Sequence, residues 1–332
     1  MKKYIVYSFY NILIIIILFF LLETVIRISF PNIQLPGTSK ELLIDSLYNT
    51  TAGLSSNKVG FSSGVKKTTN NYHVWKYKED VNIKEPIILY LGDSVTMGIG
   101  VKNDSTFAGI NSRKINLINP SVIGYSVKDY LNVIKSFLSN AFFKSKITEI
   151  YLFWTLNDLY SNFTMKSSPG LKTDNLFFPI IDYFRRNSKL FIYIKNLFSD
   201  RSKIYYNYDN QFYEESNEYF QKGLIDIKEI SRICTREGIK LTVFLLPYEY
   251  QLRENYQKNN YPQKLLLKKL SESNINVIDL GTRLSHYKYN SKSLYLYGDG
   301  IHFSKKGHKL LANIIEQTTE IRNSSRQFHK SK

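Results

Sequence analysis

The chain has 332 residues, 43% of them hydrophobic and 15% aromatic, which is enough apolar material for one sizeable core and excludes a disordered chain. Its 45 Lys and Arg against 28 Asp and Glu leave a formal charge of +17. No finger spacing, clustered basic helix or single-strand-binding aromatic motif accompanies that charge, so a nucleic-acid partner is excluded. Two readings of the charge stay open: attraction to anionic lipid headgroups or an acidic glycan, and a lysine-rich solvated surface. Cys234 is the only cysteine, so no intramolecular disulfide can form.

Lys2 and Lys3 precede an uncharged run, Tyr4 to Leu22, that ends at Glu23. The run is long enough to cross a bilayer as one helix and contacts membrane lipids in this reading. It lacks the shorter apolar core and small-residue cleavage site of a signal peptide, which predicts an uncleaved anchor. Lysines before the span and the near-balanced Glu23 and Arg27 after it predict a single-pass cell-membrane protein with a cytoplasmic N-terminus and the remaining chain extracytoplasmic. The expected segments are a cytoplasmic tip and anchor over 1–28, a polar stalk and lead-in over 29–84, one domain over 85–320, and a basic tail over 321–332.

Ile87 to Leu91 reads as a buried strand, which Gly92-Asp93-Ser94 breaks and turns towards a helix. Ser94 thus stands at the carboxyl end of a strand, where open α/β sheets bind ligands. Asn103 stands where a dinucleotide fingerprint needs glycine, and Thr96 where the α/β-hydrolase elbow needs one, so both motifs are excluded. Further strands are expected near Ile115–Ile118, which leads towards Gly124, and over Glu149–Trp154, which ends in Thr155-Leu156-Asn157-Asp158. A helix is expected over Val127–Leu138. Residues 159–216 form an insertion whose apolar and basic patchwork, Arg185 to Phe198, suits a packing helix, a substrate lid or a helix lying on the membrane surface. Phe220, Leu224, Ile227, Ile230 and Cys234 recur at helical spacing, which makes Cys234 a core residue. Lys240–Leu246 and Asn276–Leu280 supply two more strands, and a helix follows from Lys305 to about Ile315. The alternation predicts one parallel sheet covered on both faces.

The last loop carries Gly298-Asp299-Gly300-Ile301-His302. A serine attacks an ester at neutral pH only with a base, and the base needs a carboxylate that fixes its tautomer. Asp299 and His302, three residues apart with a glycine between them, supply both, so the chemistry requires that Ser94 meet His302.

Gly-Asp-Ser after the first good strand and Asp-x-x-His before a terminal helix resemble the first and last blocks of the GDSL or SGNH hydrolase family. Gly98-Ile-Gly100-Val101, Thr106-Phe107 and Asn57-Lys-Val-Gly60-Phe61 are similar to further family stretches, although Ser62 replaces a common arginine. The resemblance implies a three-layer α/β/α, flavodoxin-like fold with about five parallel strands. It also implies an oxyanion hole made of the Ser94 and Gly124 backbone N–H groups and the Asn157 side chain, with Thr155 replacing a usual glycine nearby. Asp93 and Asp158 are read as capping and supporting carboxylates, and His73, His286 and His308 as surface or packing residues. The expected function is a serine esterase that removes acyl groups, O-acetyl in the first place, from a small molecule or an extracytoplasmic glycan, with no cofactor and no metal. An O-acyltransferase with the same triad, a phospholipase and a non-catalytic glycan-binding protein are the competing readings.

Overall fold

A computed structural model describes residues 2–160, 176–286 and 290–319. Five apolar runs form one parallel sheet: β1 (Ile87–Gly92), β2 (Leu117–Ile118), β3 (Ile147–Trp154), β4 (Lys240–Leu245) and β5 (Asn276–Asp279), in the spatial order β2-β1-β3-β4-β5. Strands buried on both faces tolerate no alternation of polar residues, which is why β1, β3 and β4 read as continuous hydrophobic stretches. The order reverses direction between β1 and β3, so the crevice at their carboxyl ends is the natural ligand site of this topology. The expected flavodoxin-like sheet is therefore present, with β2 shorter than its sequence suggests.

The helices include α1 (Lys2–Ser29), α2 (Ser94–Met97), α3 (Val127–Ser139), α4 (Phe178–Asn187), α5 (Lys189–Phe198), α6 (Arg201–Asn210), α7 (Glu218–Arg236) and α8 (Lys305–Thr318). Tyr90, Tyr151, Phe153 and Phe244 line one face of the sheet in mutual ring contact. Phe107 covers them with its ring centroid 4.6 Å from that of Phe153, and His308 of α8 lies against Phe107. On the other face Trp154 donates its indole N–H to Tyr213 at 3.0 Å and lies against Gly223 of α7. Each such fully buried side chain stabilises the fold by roughly 1.5–3 kcal/mol through the apolar area it removes from water. Phe220, Leu224, Ile227, Ile230 and Cys234 of α7 are all buried, as their spacing predicts. Burial pushes the Cys234 thiol up to about 12, which leaves it unreactive.

The stretch expected as a stalk is folded onto this body. Two small hairpins, Leu43–Asp45 with Ala52–Leu54 and Val59–Ser62 with Val65–Thr68, precede β1, and Leu42, Leu54, Trp75 and Tyr77 belong to the same core as the sheet. Isolated apolar residues in a polar sequence carry no periodicity, so composition alone pointed to a lead-in. Within the 159–216 insertion, residues 161–175 lie outside the described residues, as does the 321–332 tail.

The helix α1 is apolar on every side, and residues 4–18 are exposed along its whole circumference. At 28 residues it is about 42 Å long, more than the hydrocarbon core of a bilayer, and it is long and apolar enough to cross one. Its C-terminal third packs on α5. There Glu23 is buried and accepts hydrogen bonds from Ser188 Oγ (2.7 Å), Lys189 N–H (3.0 Å) and Leu190 N–H (2.9 Å), so the end of the apolar run caps the first turn of α5.

Candidate active site

Ser94 opens α2 immediately after β1, and the two residues before it explain how the turn closes. The Asp93 carboxylate caps the helix by accepting the Val95 N–H at 2.8 Å. Gly92 must be glycine, because a Cβ there would lie 2.1 Å from Thr96 Oγ1 and 3.0 Å from the Phe153 carbonyl oxygen. The Gly-Asp-Ser sequence is thus a close strand-to-helix turn with its cap, and it presents the serine at the switch point of the sheet.

Asp299 and His302 come from a loop held by two short anchors, Leu296 N–H to the His302 carbonyl and Ser304 N–H to the Leu294 carbonyl, both 2.8 Å. Gly300 lies at φ +81°, a conformation that disfavours side chains and lets the chain fold back on itself. Asp299 Oδ1 then accepts the backbone N–H groups of Ile301 (3.0 Å) and His302 (2.8 Å), and lies 2.8 Å from His302 Nδ1. His302 Nε2 lies 2.8 Å from Ser94 Oγ, across 208 residues of sequence. With Asp299 ionised, Nδ1 carries the imidazole proton and Nε2 is the acceptor for the serine hydroxyl. Burial pushes the Asp299 carboxyl up, but His302 and then Arg201 outweigh it and hold the group well below the usual carboxylate range. Burial opposes the imidazolium of His302, and the facing Asp299 more than offsets this, so its affinity for a proton is raised.

Asn157 follows β3, the strand beside β1. It is buried and fixed on both ends of its amide: Nδ2 donates to Asp93 Oδ2 at 3.3 Å, while Oδ1 accepts from Thr155 Oγ1 (2.9 Å) and Tyr248 Oη (3.1 Å). Thr155, where the resemblance implies glycine, turns its hydroxyl into this network and also donates to Asp158 Oδ1 at 2.7 Å, so it does not narrow the cavity. Gly124 lies at φ +82° in the loop after β2. The backbone N–H groups of Ser94 and Gly124 have no hydrogen-bond partner among the described residues. Two free donors and a third in the Asn157 amide are what an oxyanion site requires.

Three buried carboxylates lie under the serine. Asp93 is the acceptor for Ser94 Oγ at 3.0 Å in addition to its capping role, so the hydroxyl has two acceptors and the histidine is the nearer. Burial, with Asp93 close by, raises the Asp158 carboxyl well above its ordinary value. Burial also raises Asp209 to about 6, against hydrogen bonds from Tyr160 and Tyr248 that favour its ionised form. Capping and support are therefore the structural roles of Asp93 and Asp158, as expected.

The other histidines stand apart from this chain. His308 is buried and accepts the Phe107 N–H at Nδ1, and burial lowers its affinity for a proton to a value of about 3, so it packs as a neutral ring. His286 is exposed and His73 contacts the Leu54 carbonyl. Among the described residues no group of three or more His, Cys, Asp or Glu side chains is arranged to hold a metal ion.

Beside His302 opens a cavity of about 360 Å³, near the lower end of ligand-pocket sizes. One wall is the Asp299–His302 loop with Ile99 and Ile123, and the other comes from the insertion, including Arg185, Lys195 and Arg201. Sequence reading identified neither Lys195 nor Arg201 as a site residue. The available signal was the recurrence of cations among apolar residues between Arg185 and Arg201.

No family model matches the chain, and no curated protein matches it. Solved structures do. A member of the lipolytic protein G-D-S-L family from Veillonella parvula is 17% identical, with 70% of this chain and 96% of that one covered at a TM-score of 0.41. The lipase/acylhydrolase from Enterococcus faecalis is 16% identical, with 73% and 96% covered at 0.40. A catalytic mutant of an acetylxylan esterase from Geobacillus stearothermophilus is 12% identical, with 70% and 93% covered at 0.41. At such identities no residue role passes from those proteins to this one, and the site rests on its own distances.

Proposed function

We propose that the protein is a membrane-anchored serine esterase of the GDSL type, acting outside the cytoplasm on ester-linked acyl groups, O-acetyl groups of a glycan in the first place. The observation that carries this reading is the unbroken relay from Ser94 Oγ to His302 Nε2 and from His302 Nδ1 to Asp299, each step 2.8 Å. A glycan-binding protein has no use for that relay. The modest size of the cavity beside it favours a short acyl group over a long lipid chain.

In this mechanism Ser94 Oγ attacks the ester carbonyl as its proton passes to His302 Nε2, and Asp299 stabilises the imidazolium that forms. General-base assistance of this kind contributes about 10²–10⁴-fold. The carbonyl oxygen becomes an oxyanion bound by the N–H groups of Ser94 and Gly124 and by the Asn157 amide. Collapse breaks the ester C–O bond, the leaving alcohol takes the proton from His302, and the acyl group stays on Ser94. Water then gives a proton to His302 and attacks the acyl-enzyme, releasing the carboxylic acid and restoring the serine.

The reading is tested with the full chain in detergent, using p-nitrophenyl acetate beside p-nitrophenyl octanoate and an O-acetylated polysaccharide whose free acetate is assayed. Faster turnover of the acetate than of the octanoate, with acetate released from the polysaccharide, is the expected result. Preference for the octanoate would replace this function by a lipase. For the orientation, a periplasmic-type reporter fused to the C-terminus is expected to be active, and activity of a cytoplasmic reporter instead would reverse the topology.

A further inference from the structure

The cavity beside His302 is lined by three basic side chains, Arg185, Lys195 and Arg201, and one carboxylate, Asp299. The single carboxylate is hydrogen-bonded to His302. Arg185 is paired with Asp182, its Nε 3.0 Å from Oδ1. Arg201 has one neutral partner, donating to Tyr205 Oη at 2.9 Å with its guanidinium over that ring. Lys195 has no ion pair or hydrogen bond among the described residues. Asp299 faces Arg201 as well as His302 and offsets one positive charge, so Lys195 is left without an anion among the described residues and the partly enclosed space keeps a net positive charge. The mutual effect of the cations is visible on Lys195, whose charged form is disfavoured by burial and then by Arg201 and Arg185. Uncompensated, partly desolvated charge of one sign costs stability and persists where a ligand supplies the other sign.

The helix that carries Lys195 is also the one that α1 holds. Glu23 caps α5 at Ser188, and Lys195 lies seven residues further on, roughly 10 Å along the helix axis. Phe19 of α1 meets Phe184 of α4 with ring centroids 5.9 Å apart, and Ile180 and Tyr183 of α4 and Leu197 and Phe198 of α5 are exposed. The cationic wall thus stands next to the end of the membrane-spanning segment.

Resting on the esterase reading above, we infer that this cavity holds an anionic group, a phosphate or a carboxylate, carried on the same substrate molecule as the scissile ester, with Lys195 and Arg201 as its contacts. An arginine offers a planar fork of donors and a lysine a point charge, a pair suited to a tetrahedral or planar oxyanion. The cavity selects acylated anionic molecules, presented close to the bilayer, over neutral ones.

The experiment uses the full chain carrying Ser94→Ala in phosphatidylcholine nanodiscs, so that binding is read without turnover. Calorimetry compares phenyl acetate with para-acetoxyphenyl phosphate. The phosphate-bearing ester is expected to bind at least about tenfold more tightly, with the gap shrinking as salt is raised. Lys195→Gln with Arg201→Gln is expected to abolish the preference. Should the double variant fail to fold, Lys195→Gln alone, at a partly exposed position, is expected to reduce the preference by about threefold or more. Equal binding of the two esters by the Ser94→Ala protein would overturn the inference while leaving the esterase reading intact. Conversely, tight binding of the phosphate ester together with no turnover of either ester by the native protein would sink the esterase reading and leave the anion site standing. Repeating the titration in nanodiscs that contain phosphatidylglycerol separates the sources: weaker probe binding assigns the site to a lipid headgroup, and unchanged binding assigns it to an anion on the glycan side.

Discussion

The two walls of the cavity are built by different means. The first wall holds Asp299 and His302 on one tightly bonded loop, and His302 joins it to Ser94 and Asn157 at the strand ends, with the polar atoms of the group fixed by hydrogen bonds of 2.8–3.3 Å to one another and to the backbone. The wall that carries Lys195 and Arg201 consists of short helices from an insertion, held against the N-terminal helix through Glu23 and only partly buried. Bond-making chemistry tolerates little displacement, so it sits where the sheet leaves no freedom. Charge selection tolerates more, and it is placed on the part of the chain that packs against the N-terminal helix. Substitutions on the first wall should therefore act on kcat and on the pH profile, and those on the second on KM and salt dependence.

The largest departure short of losing the nucleophile is expected from Asp299→Asn, a drop in kcat of about 10²–10⁴-fold. The sign of its pH effect follows from Asp299 raising the proton affinity of His302. The active histidine is the neutral one, so activity rises as pH passes its pKa, and removing the carboxylate moves that limb to lower pH. A limb that stayed in place would mean that another group titrates. Asn157→Ala comes next, with a fall of about 10²-fold in kcat and little change in KM, read by steady-state kinetics on p-nitrophenyl acetate. A change confined to KM would move Asn157 from the first wall's chemistry to the second wall's binding.

Two further substitutions act on stability. Lys67 is 1% exposed, has no acidic partner among the described residues, donates to the Met97 carbonyl at 2.9 Å and lies over the Trp75 ring, directly beneath α2. Burial lowers its pKa from 10.5 to about 7. Between those values the unfolded chain binds the proton and the folded one does not, so stability rises with pH across that window. Thermal melts should show the native protein gaining stability from pH 7 to pH 10 relative to Lys67→Met, while parallel curves would show that the amine reaches solvent. The smallest effect belongs to Glu23→Gln, which weakens the cap of α5 by about 1 kcal/mol. Faster amide exchange limited to α5 would match the clamp described here, and exchange unchanged there would remove α1 from the account of the second wall.

Legibility in the sequence followed the same division. The sheet was readable because a strand buried on both faces leaves an uninterrupted apolar run, and Ser94, Asp299 and His302 were readable because nucleophilic chemistry requires those side chains, Ser94 ends a strand, and Asp299 and His302 stand three residues apart. Gly124 and Asn157 came only through resemblance to a family pattern, since a glycine or an asparagine after a strand is otherwise an ordinary turn residue. Lys195 and Arg201 have no such signature. Their role depends on how an insertion packs over a loop about 100 residues away, which no local pattern encodes. Lys67 is hidden for a different reason: it adjoins a second lysine, Lys66, and only the pleat of the Val65–Thr68 strand sends one out and the other in. The polar stretch before β1 concealed its core contacts for want of periodicity, because Leu42, Leu54 and Trp75 are anchored singly.

The central claim is that Ser94 is an activated nucleophile, and covalent labelling tests it most directly. The full chain is treated with a fluorophosphonate at neutral pH and the adduct is located by peptide mass spectrometry. The account predicts one adduct on Ser94, absent from Ser94→Ala and at least about 10²-fold slower to form in His302→Ala. A folded protein that remains unlabelled, or that is labelled equally well without His302, would contradict it.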